Sequence, residues 1–464
     1  MSDYQAFLAS KTRAAVPTGI DSFVRLHKRL KPFQADVTRW ALRRGRACMF
    51  EGTGLGKTAQ SEEWARVVHK HTGRDVLILA PLAVAPQSVA EGRKLDLEIT
   101  LCREASDVRP GINITNYDRL HKFDPDRFGG VVLDESSVIK HHDAKTLKTL
   151  LDAFRATPFK LCCTATPAPN DWTELGTHAE FLGICSRTEM LSEFFVHDGG
   201  DTQTWRLKGH ARAAFWRWVA SWAALVSHPR DLGYDEPGYD LPPLHVHEHT
   251  IKADAETAAR GGVLFVEEAA GLMERRQARK ASIGPRVRAC AEIVMAEEHE
   301  PWVIWCELNA ESDALAKAIP WAREIRGSMD ADEKEDALMA FSRGEVRCLI
   351  SKASITGWGL NWQHCARTAF VGVSDSWESY YQAIRRFYRF GQTRPVEAHL
   401  FASEAEGSVV ANLNRKDRDA ATMAVELARE TAAVVRAEAR GLVRETNAYE
   451  PKVPMKVPAW LKTI

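Results

Sequence analysis

The sequence of 464 residues lacks the features that would place it in a membrane, secreted or disulfide-rich class. No stretch reaches the roughly 18 consecutive apolar residues that a transmembrane helix requires. The N-terminus shows no basic segment followed by an apolar run, the pattern of a secretory signal. The nine cysteines form no C-x-x-C pair, which argues against a zinc ribbon and for reduced thiols. We therefore expect a cytoplasmic protein with no membrane association.

An excess of charge of one sign is also missing. Lys+Arg and Asp+Glu both number 62, so the net charge is zero. This excludes a globally basic nucleic-acid-binding protein, although it leaves room for a local basic groove. The balance of 27% charged and 45% hydrophobic residues is that of a globular protein. The length exceeds what one hydrophobic core holds, which predicts two or more domains.

Short apolar segments alternate with amphipathic stretches along most of the chain. This rhythm is typical of parallel α/β sheets with helices on both faces. We predict strands at residues 47–50, 75–80, 129–133, 160–165, 302–306, 347–351 and 368–373. The apolar, Trp-rich stretch 213–226 is predicted to be one buried helix.

A segment rich in Pro, Gly and Asp, residues 232–243, interrupts the rhythm and is the best candidate for a domain boundary. We therefore predict an N-terminal segment (1–30), a first α/β lobe (31–235), a second α/β lobe (236–405) and a C-terminal helix with a tail (406–464). The Ala-rich C-terminal helix is expected to pack back across the lobes.

The segment Gly54-Leu55-Gly56-Lys57-Thr58 follows a predicted strand and opens a predicted helix. Glycines let backbone N–H groups surround phosphate oxygens, a lysine reaches the β and γ phosphates, and a hydroxyl binds Mg²⁺. The strict form of this phosphate-binding loop has a glycine five residues before the position of Gly56, and this sequence has Glu51 there. The alternative is a glycine-rich turn at a helix start, which the strand–loop–helix context disfavours.

Two further strand ends carry polar residues. Asp134 and Glu135 directly follow an apolar strand, and in a phosphate-loop enzyme the first acid holds Mg²⁺ while the second polarises the attacking water. Acids that merely favour a helix N-terminus are the alternative. The next strand ends in Thr164-Ala165-Thr166-Pro167, whose hydroxyls are candidates for linking the nucleotide to a bound polymer.

The second lobe contains a basic segment that suits a phosphate site. On a helix, Gln382, Arg386 and Arg389 would fall at i, i+4 and i+7, on one face. Arginines placed in this way can reach a γ-phosphate across a cleft. A solvated basic helix face is the alternative, and it loses weight because the first lobe already supplies a phosphate-binding loop.

Together these motifs resemble the superfamily-2 helicases and, within them, the Swi/Snf-type DNA translocases. The resemblance extends from about Pro32 to Phe401. The matching segments are 32–34 (the adenine-reading Q-motif), 54–58 (motif I), 79–81 and 84–87 (Ia), 116–118 (Ib), 133–140 (II), 164–167 with Asn170 (III), 356–361 (V), and 375–377 with 382–392 (the Trp-containing segment and VI). Motif II departs from the commoner Asp-Glu-Ala-His by reading Asp-Glu-Ser-Ser, and Thr356 replaces a usual glycine in motif V. The small size is similar to that of bacteriophage or bacterial members, which implies the cytoplasm of a bacterial host.

The resemblance implies two RecA-like lobes with ATP and Mg²⁺ bound between them. The implied ATP contacts are Gln34, Gly54, Leu55, Gly56, Lys57, Thr58, Gly357 and Gln382. The implied Mg²⁺ ligands are Thr58 and Asp134, and the implied catalytic residues are Glu135, Lys57, Arg386 and Arg389. The implied contacts that bind DNA or couple it to ATP are Pro81, Gln87, Asn116, Tyr117, Thr164, Thr166, Thr356 and Trp377.

The function implied is a monomeric, DNA-dependent ATPase motor that moves along double-stranded DNA. Its contacts would follow the phosphate backbone and carry no base sequence information. Two alternatives remain open: a helicase that separates or anneals strands of branched DNA, and a DNA-binding scaffold that hydrolyses no ATP. The presence of every implied catalytic residue argues against the scaffold.

Overall fold

The structure is a computed structural model that describes residues 15–21, 24–81, 84–141, 144–198, 201–251, 280, 282–356, 361–372, 376–404 and 407–439. Within these ranges the chain forms two lobes, each built on a parallel sheet with helices on both faces, and a long C-terminal helix. This is the predicted pair of RecA-like lobes. Of the helices in the described ranges, none combines the length and apolarity that crossing a bilayer needs.

The first lobe is built on a seven-stranded sheet among the described residues. In chain order its strands are β1 (Arg46–Glu51), β2 (Asp75–Ala80), β3 (Ile99–Leu101), β4 (Ile112–Asn116), β5 (Phe128–Asp134), β6 (Phe159–Thr164) and β9 (Ala223–Val226). They lie in the spatial order β3-β4-β2-β5-β6-β1-β9, and every pair is parallel. All the strand carboxyl ends therefore meet at one edge, where open α/β sheets place their ligands.

Helices cover both faces of this sheet. They are α1 (Pro32–Arg44), α2 (Lys57–Thr72), α3 (Ala85–Lys94), α4 (Lys145–Ala153), α5 (Leu175–Leu182), α6 (Arg187–Phe194) and α7 (Arg212–Ala220). A hairpin of β7 (Phe195–Asp198) and β8 (Asp201–Leu207) extends from the lobe. Two buried apolar clusters, one on each face, hold the helices to the sheet.

The second lobe repeats the arrangement with a six-stranded parallel sheet in the described part of the chain. Its strands are β10 (Leu244–Ile251), β11 (Trp302–Cys306), β12 (Arg323–Ile325), β13 (Cys348–Ser351), β14 (Arg367–Val371) and β15 (Val396–Ser403), in the order β10-β15-β14-β11-β13-β12. The helices are α8 (Ile283–Ala296), α9 (Asn309–Ala318), α10 (Ala331–Ser342), α11 (Ala353–Thr356) and α12 (Trp377–Ile384).

The prediction of one helix over residues 213–226 is wrong. The helix α7 ends at Ala220, and the four apolar residues of β9 pair with β1 at the edge of the first sheet. The backbone N–H of Cys48 donates to the carbonyl of Trp222 (2.8 Å), which aligns the new strand. Short apolar runs suit a buried helix and a buried strand equally, and the partner strand 175 residues earlier decided this one.

The C-terminal helix α13 (Gly407–Ala439) packs against both lobes, as predicted. In the N-terminal half of α13, Asp417 Oδ1 accepts a 3.2 Å hydrogen bond from Trp377 Nε1 of α12. Further along, Arg212 of the first lobe forms a 2.8 Å ion pair with Glu426. The buried side chains of Met423 and Leu427 extend the core of the first lobe. The helix is therefore a third structural layer that joins the two lobes.

Candidate functional site between the lobes

The phosphate-binding loop follows β1, as the motif predicts. Gly54 and Gly56 both have positive φ values, 92° and 90°, which glycine adopts without the steric cost that a side chain brings. The helix α2 begins at Lys57, so its free backbone N–H groups face the loop. The ammonium of Lys57 donates to the carbonyl oxygens of Glu51 (2.9 Å) and Gly52 (3.4 Å). The half-buried Thr58 lies in the first turn of the helix beside it.

Gln34 clamps the loop from the side. Its Oε1 accepts the backbone N–H of Lys31 (2.9 Å), and its Nε2 donates to the carbonyl of Leu55 (2.8 Å). A β-carbon at Gly56 would stand 2.3 Å from this nitrogen, so the approach requires glycine. The residue predicted to read adenine is thereby in direct contact with the predicted phosphate loop.

Glu51, the departure from the strict loop pattern, does not enter the phosphate site. Its side chain is fully buried, and its Oε2 accepts a 2.7 Å hydrogen bond from Gln60 Nε2 on α2. Burial raises the pKa of Glu51 to about 7, while the nearby Lys57 and the Gln60 hydrogen bond act in the opposite direction. The loop thus accommodates an acid at this position because the side chain points away from the phosphate site and toward Gln60.

Asp134 ends β5 and Glu135 follows it in the left-handed conformation, with φ of 51°. A positive φ in a residue other than glycine is strained and is maintained only by its surroundings. Two hydrogen bonds flank the turn: Tyr117 Oη donates to the Asp134 carbonyl (2.7 Å), and Ser136 Oγ bonds His178 Nε2 (3.1 Å). The turn is therefore fixed from both sides before any ligand binds.

The second lobe reaches this site through the turns that follow α12. The prediction that a helix carries Gln382, Arg386 and Arg389 on one face is wrong beyond its first member. The helix ends at Ile384, and the carbonyl of Arg386 accepts the N–H of Trp362 (2.9 Å) instead of continuing the helix. The turns still direct both arginines at the first lobe. A β-carbon at Gly54 would stand 2.9 Å from the nitrogen of Phe390, so this segment lies directly on the phosphate loop.

The charges of the two lobes act on each other. Burial lowers the pKa of Arg386 to about 9 and that of Arg389 to about 10, and in both cases the carboxylate of Glu135 opposes the shift. Burial raises the pKa of Glu135, reinforced by Glu378 and opposed by Lys57 and both arginines. Burial and then Glu135 raise the pKa of Asp134 to about 7. A buried cleft with acids and bases in mutual range is the arrangement expected of a functional site.

The donors and acceptors of the cleft fit a polyphosphate with a divalent cation. Arg389 Nε, Gln382 Nε2 and Glu135 Oε2 are buried atoms with no hydrogen-bond partner among the described residues. Buried polar groups of this kind are normally paired, so they indicate a ligand that completes them. Guanidinium and amide donors suit phosphate oxygens. The Thr58 hydroxyl and the Asp134 carboxylate are the oxygen ligands that Mg²⁺ prefers.

The remaining predicted residues line the same edge of the two sheets or pack behind it. Pro81 is half-buried just beyond β2. Asn116 Oδ1 accepts the N–H of Arg119 (3.0 Å) and caps a short turn. Thr164 Oγ1 accepts the N–H of Thr166 (3.1 Å). The ring of Trp377 is only 4% exposed and bonds α13, so it is placed for coupling between elements and not for contact with a polymer.

Three predicted positions fall outside this description. Gly357 lies outside the described residues, and the side chains of Gln87 and Thr356 are likewise not described. Conversely, the structure adds Glu378 and His178, which no sequence motif selects. Glu378 resembles an ordinary acid in the first turn of a helix, and His178 resembles an ordinary core residue. Each is recognised only from a contact with a residue distant in sequence. Glu378 bonds Thr166, 212 positions earlier, and His178 bonds Ser136, 42 positions earlier.

Comparison with known proteins addresses the second lobe directly. Residues 286–391 match the family model of the helicase conserved C-terminal domain. The second lobe is therefore similar to the C-terminal domain of helicases. The match runs from α8 through the arginine-bearing turns and agrees with the helicase resemblance drawn from the motifs of the second lobe.

The chain also shows similarity to a solved structure. The Sulfolobus solfataricus SWI2/SNF2 ATPase core in complex with double-stranded DNA is 18% identical, with a TM-score of 0.39; the similarity covers 90% of this chain and 97% of that one. A comparison with curated proteins finds no match.

Proposed function

We propose that this protein is a DNA-dependent ATPase motor of the Swi/Snf type that moves along double-stranded DNA. The observation that carries the proposal is the composite cleft, in which Lys57, Asp134 and Glu135 of one lobe face Arg386 and Arg389 of the other. Neither lobe alone holds the full set. Hydrolysis therefore depends on lobe alignment, and a polymer that spans both lobes can control it.

Each residue has a role that its position supports. Lys57 and the backbone N–H groups of the loop bind the β and γ phosphates, while Thr58 and Asp134 would hold Mg²⁺, which would neutralise phosphate charge. Glu135 orients the water that attacks the γ-phosphorus. Arg386 and Arg389 stabilise the negative charge that spreads over the transferred phosphoryl group.

DNA would lie across both lobes against motifs Ia, Ib, IV and V, and the support for this is that motifs Ia and Ib follow the carboxyl ends of β2 and β4. Contacts there would follow phosphates and leave the bases unread. Alternating closure and opening of the cleft would then move the lobes along the backbone. Because one chain supplies both halves of the site, we propose a monomeric motor. We also propose that it works in the cytoplasm.

The decisive experiment measures steady-state ATP hydrolysis without polymer and with duplex DNA, single-stranded DNA or RNA. We expect selective stimulation by duplex DNA, and displacement of a third strand from a triplex would then demonstrate movement. Stimulation by single strands or RNA alone would replace the proposal with an unwinding helicase. Absence of hydrolysis under every condition, with nucleotide binding retained, would support a scaffold.

Two variants test the assigned chemistry. Lys57→Ala is expected to lose both nucleotide binding and turnover, whereas Glu135→Gln should bind ATP and stall. Lys70→Ala, in the last turn of the same helix α2, is the matched control and should behave like the wild type. Normal turnover in Glu135→Gln would show that another group orients the water.

A further inference from the structure

Glu378 belongs to the second lobe, but its carboxylate contacts first-lobe residues beside the candidate catalytic turn. It occupies the first turn of α12 and is 9% exposed. Its Oε2 forms an ion pair with the ammonium of Lys140, and its Oε1 accepts a 3.3 Å hydrogen bond from Thr166 Oγ1. Both oxygens are therefore engaged by residues more than 200 positions earlier in the chain.

A simple structural role explains only part of this arrangement. Acids in the first turn of a helix interact favourably with its dipole, and Glu378 satisfies that preference. The dipole does not require burial, however, nor contacts with another lobe. Surface ion pairs contribute little to stability, whereas here the side chains of Glu378 and Lys140 are 11% and 20% exposed. The burial of this contact is therefore better explained by a role in connecting the second lobe to the first.

The two first-lobe partners belong to the elements that carry the chemistry. Lys140 ends the short helical turn that begins directly after Glu135. Thr166 follows β6, where its backbone N–H bonds Thr164. The same carboxylate is close enough to Glu135 to raise the pKa of that residue. One second-lobe side chain thus contacts both loops flanking the water-orienting acid.

We propose that Glu378 is a positioning residue that clasps Lys140 and Thr166 when the lobes close, and so sets the geometry of Glu135. The clasp can form only when α12 approaches the first lobe. Closure would then be reported to the catalytic turn by a contact separate from the arginines. This inference rests on the proposed ATPase function, but the contact itself can be measured without hydrolysis.

The test is a double-mutant cycle with Glu378→Gln, Lys140→Met and their combination. If the clasp positions Glu135, Glu378→Gln lowers kcat about 10- to 100-fold, the range for a catalytic group misplaced by about 1 Å. The KM for ATP should stay within a few-fold of the wild-type value. Because the two residues act through each other, the double variant should lose no more than the worse single variant. If the fold-losses in kcat of the two single variants multiply in the double variant, the proposed clasp is overturned.

The matched control is Glu300→Gln. Glu300 is also a second-lobe acid in an ion pair, 2.8 Å from Arg394, but the pair lies within that lobe. Its loss should leave kcat unchanged. A purely structural role for Glu378 would lower the melting temperature and reduce nucleotide affinity and turnover together. In Glu378→Gln, kcat should instead fall while the melting temperature and the nucleotide affinity stay close to the wild-type values. A fall in nucleotide affinity equal to the fall in kcat would count against the positioning role.

Amide hydrogen exchange separates this inference from the proposed function. In Glu378→Gln, residues 136–140 and 377–384 should exchange faster than in the wild type, whereas in Glu300→Gln they should not. Faster exchange in a protein that hydrolyses no ATP would keep the clasp and reject the motor. Unchanged exchange, with wild-type kcat, would reject the clasp and leave the motor standing.

Discussion

The phenol of Tyr117 donates a 2.7 Å hydrogen bond to the backbone carbonyl of Asp134. Tyr117 begins the turn after β4, in the segment predicted to face DNA, and Asp134 is the predicted Mg²⁺ ligand. The hydrogen bond joins the ends of two strands that are separated in the sheet by β2. Under the proposed function, it is a direct route by which a displacement at the edge proposed to bind DNA would reach the proposed Mg²⁺ ligand.

The substitution Tyr117→Phe tests that route. It removes one hydroxyl and leaves a buried carbonyl without its donor, a loss of about 1 kcal/mol. We expect the stimulation of ATP hydrolysis by duplex DNA to fall several-fold, with little change in the rate without DNA. Tyr234→Phe is the control, since the Tyr234 phenol bonds Asp36 on α1 instead. Equal effects of the two variants would contradict a coupling role for Tyr117.

Arg389→Ala should keep ATP affinity within a few-fold and reduce turnover roughly 10³-fold or more, because the guanidinium acts mainly on transition-state charge. Arg385→Ala provides a control from the same turn. Its guanidinium lies over the rings of Tyr381 and Tyr388, 4.9 and 5.2 Å from their centroids, and so is held outside the cleft. Single-turnover kinetics with nucleotide-binding measurements would distinguish the two. Near-normal turnover in Arg389→Ala would remove its assigned role.

Binding of Mg²⁺ with ATP should depend on pH near neutrality. Burial and the neighbouring Glu135 raise the pKa of Asp134 to about 7, and metal binding requires the carboxylate form. Affinity is therefore present above pH 7, declines below it, and binding near neutrality releases protons. Calorimetry in buffers of different ionisation enthalpy measures that release. The released fraction should shrink in Asp134→Asn, and an identical release in both proteins would contradict the assignment.

The second lobe should lose stability in acid through His399. Burial and the neighbouring His247 and His249 lower the pKa of His399 to about 4, so the folded state favours the neutral ring. The stabilisation is complete above the unfolded pKa of about 6.5 and is lost as pH falls toward 4. Glu397 and Arg367 also face this ring.

We test this with His399→Phe, which removes the titrating group while keeping an aromatic ring against Phe401. Discounted for partial exposure to about 1 kcal/mol, the effect should reduce the fall in Tm between pH 7.5 and 5 by about 2–4 °C. The control is His299→Gln, because that side chain is 88% exposed. A fall in Tm equal to that of the wild type would show that other groups govern acid stability.

Much of the fold could be predicted because local patterns decide it. The strands at 75–80 and 302–306 begin and end where predicted, since each apolar run is bounded by charged or turn-forming residues. The phosphate loop could be predicted for the same reason, because its spacing is local. Where the choice depends on a distant partner, prediction failed. The strand β9 exists because β1 offers it an edge, and α12 ends early because Arg386 bonds Trp362.

The candidate site divides in the same way. Residues with a chemical signature within a short motif, such as Lys57 and Asp134, could be selected from the sequence. Glu378, His178 and the inward direction of Tyr117 could not, because each depends on a contact between segments that the sequence does not bring together. The electrostatics of the cleft likewise arise only when both lobes are in place.

The helix α13 has a mechanical consequence. Its 33 residues span about 50 Å, and it is attached to the second lobe through Asp417 and to the first through Glu426. A stiff rod fastened at two points resists separation of the bodies it joins. Each opening of the cleft must bend this rod or peel it from one lobe, and its recoil would drive the lobes back together. The helix would thereby favour the arrangement in which the two lobes lie against each other.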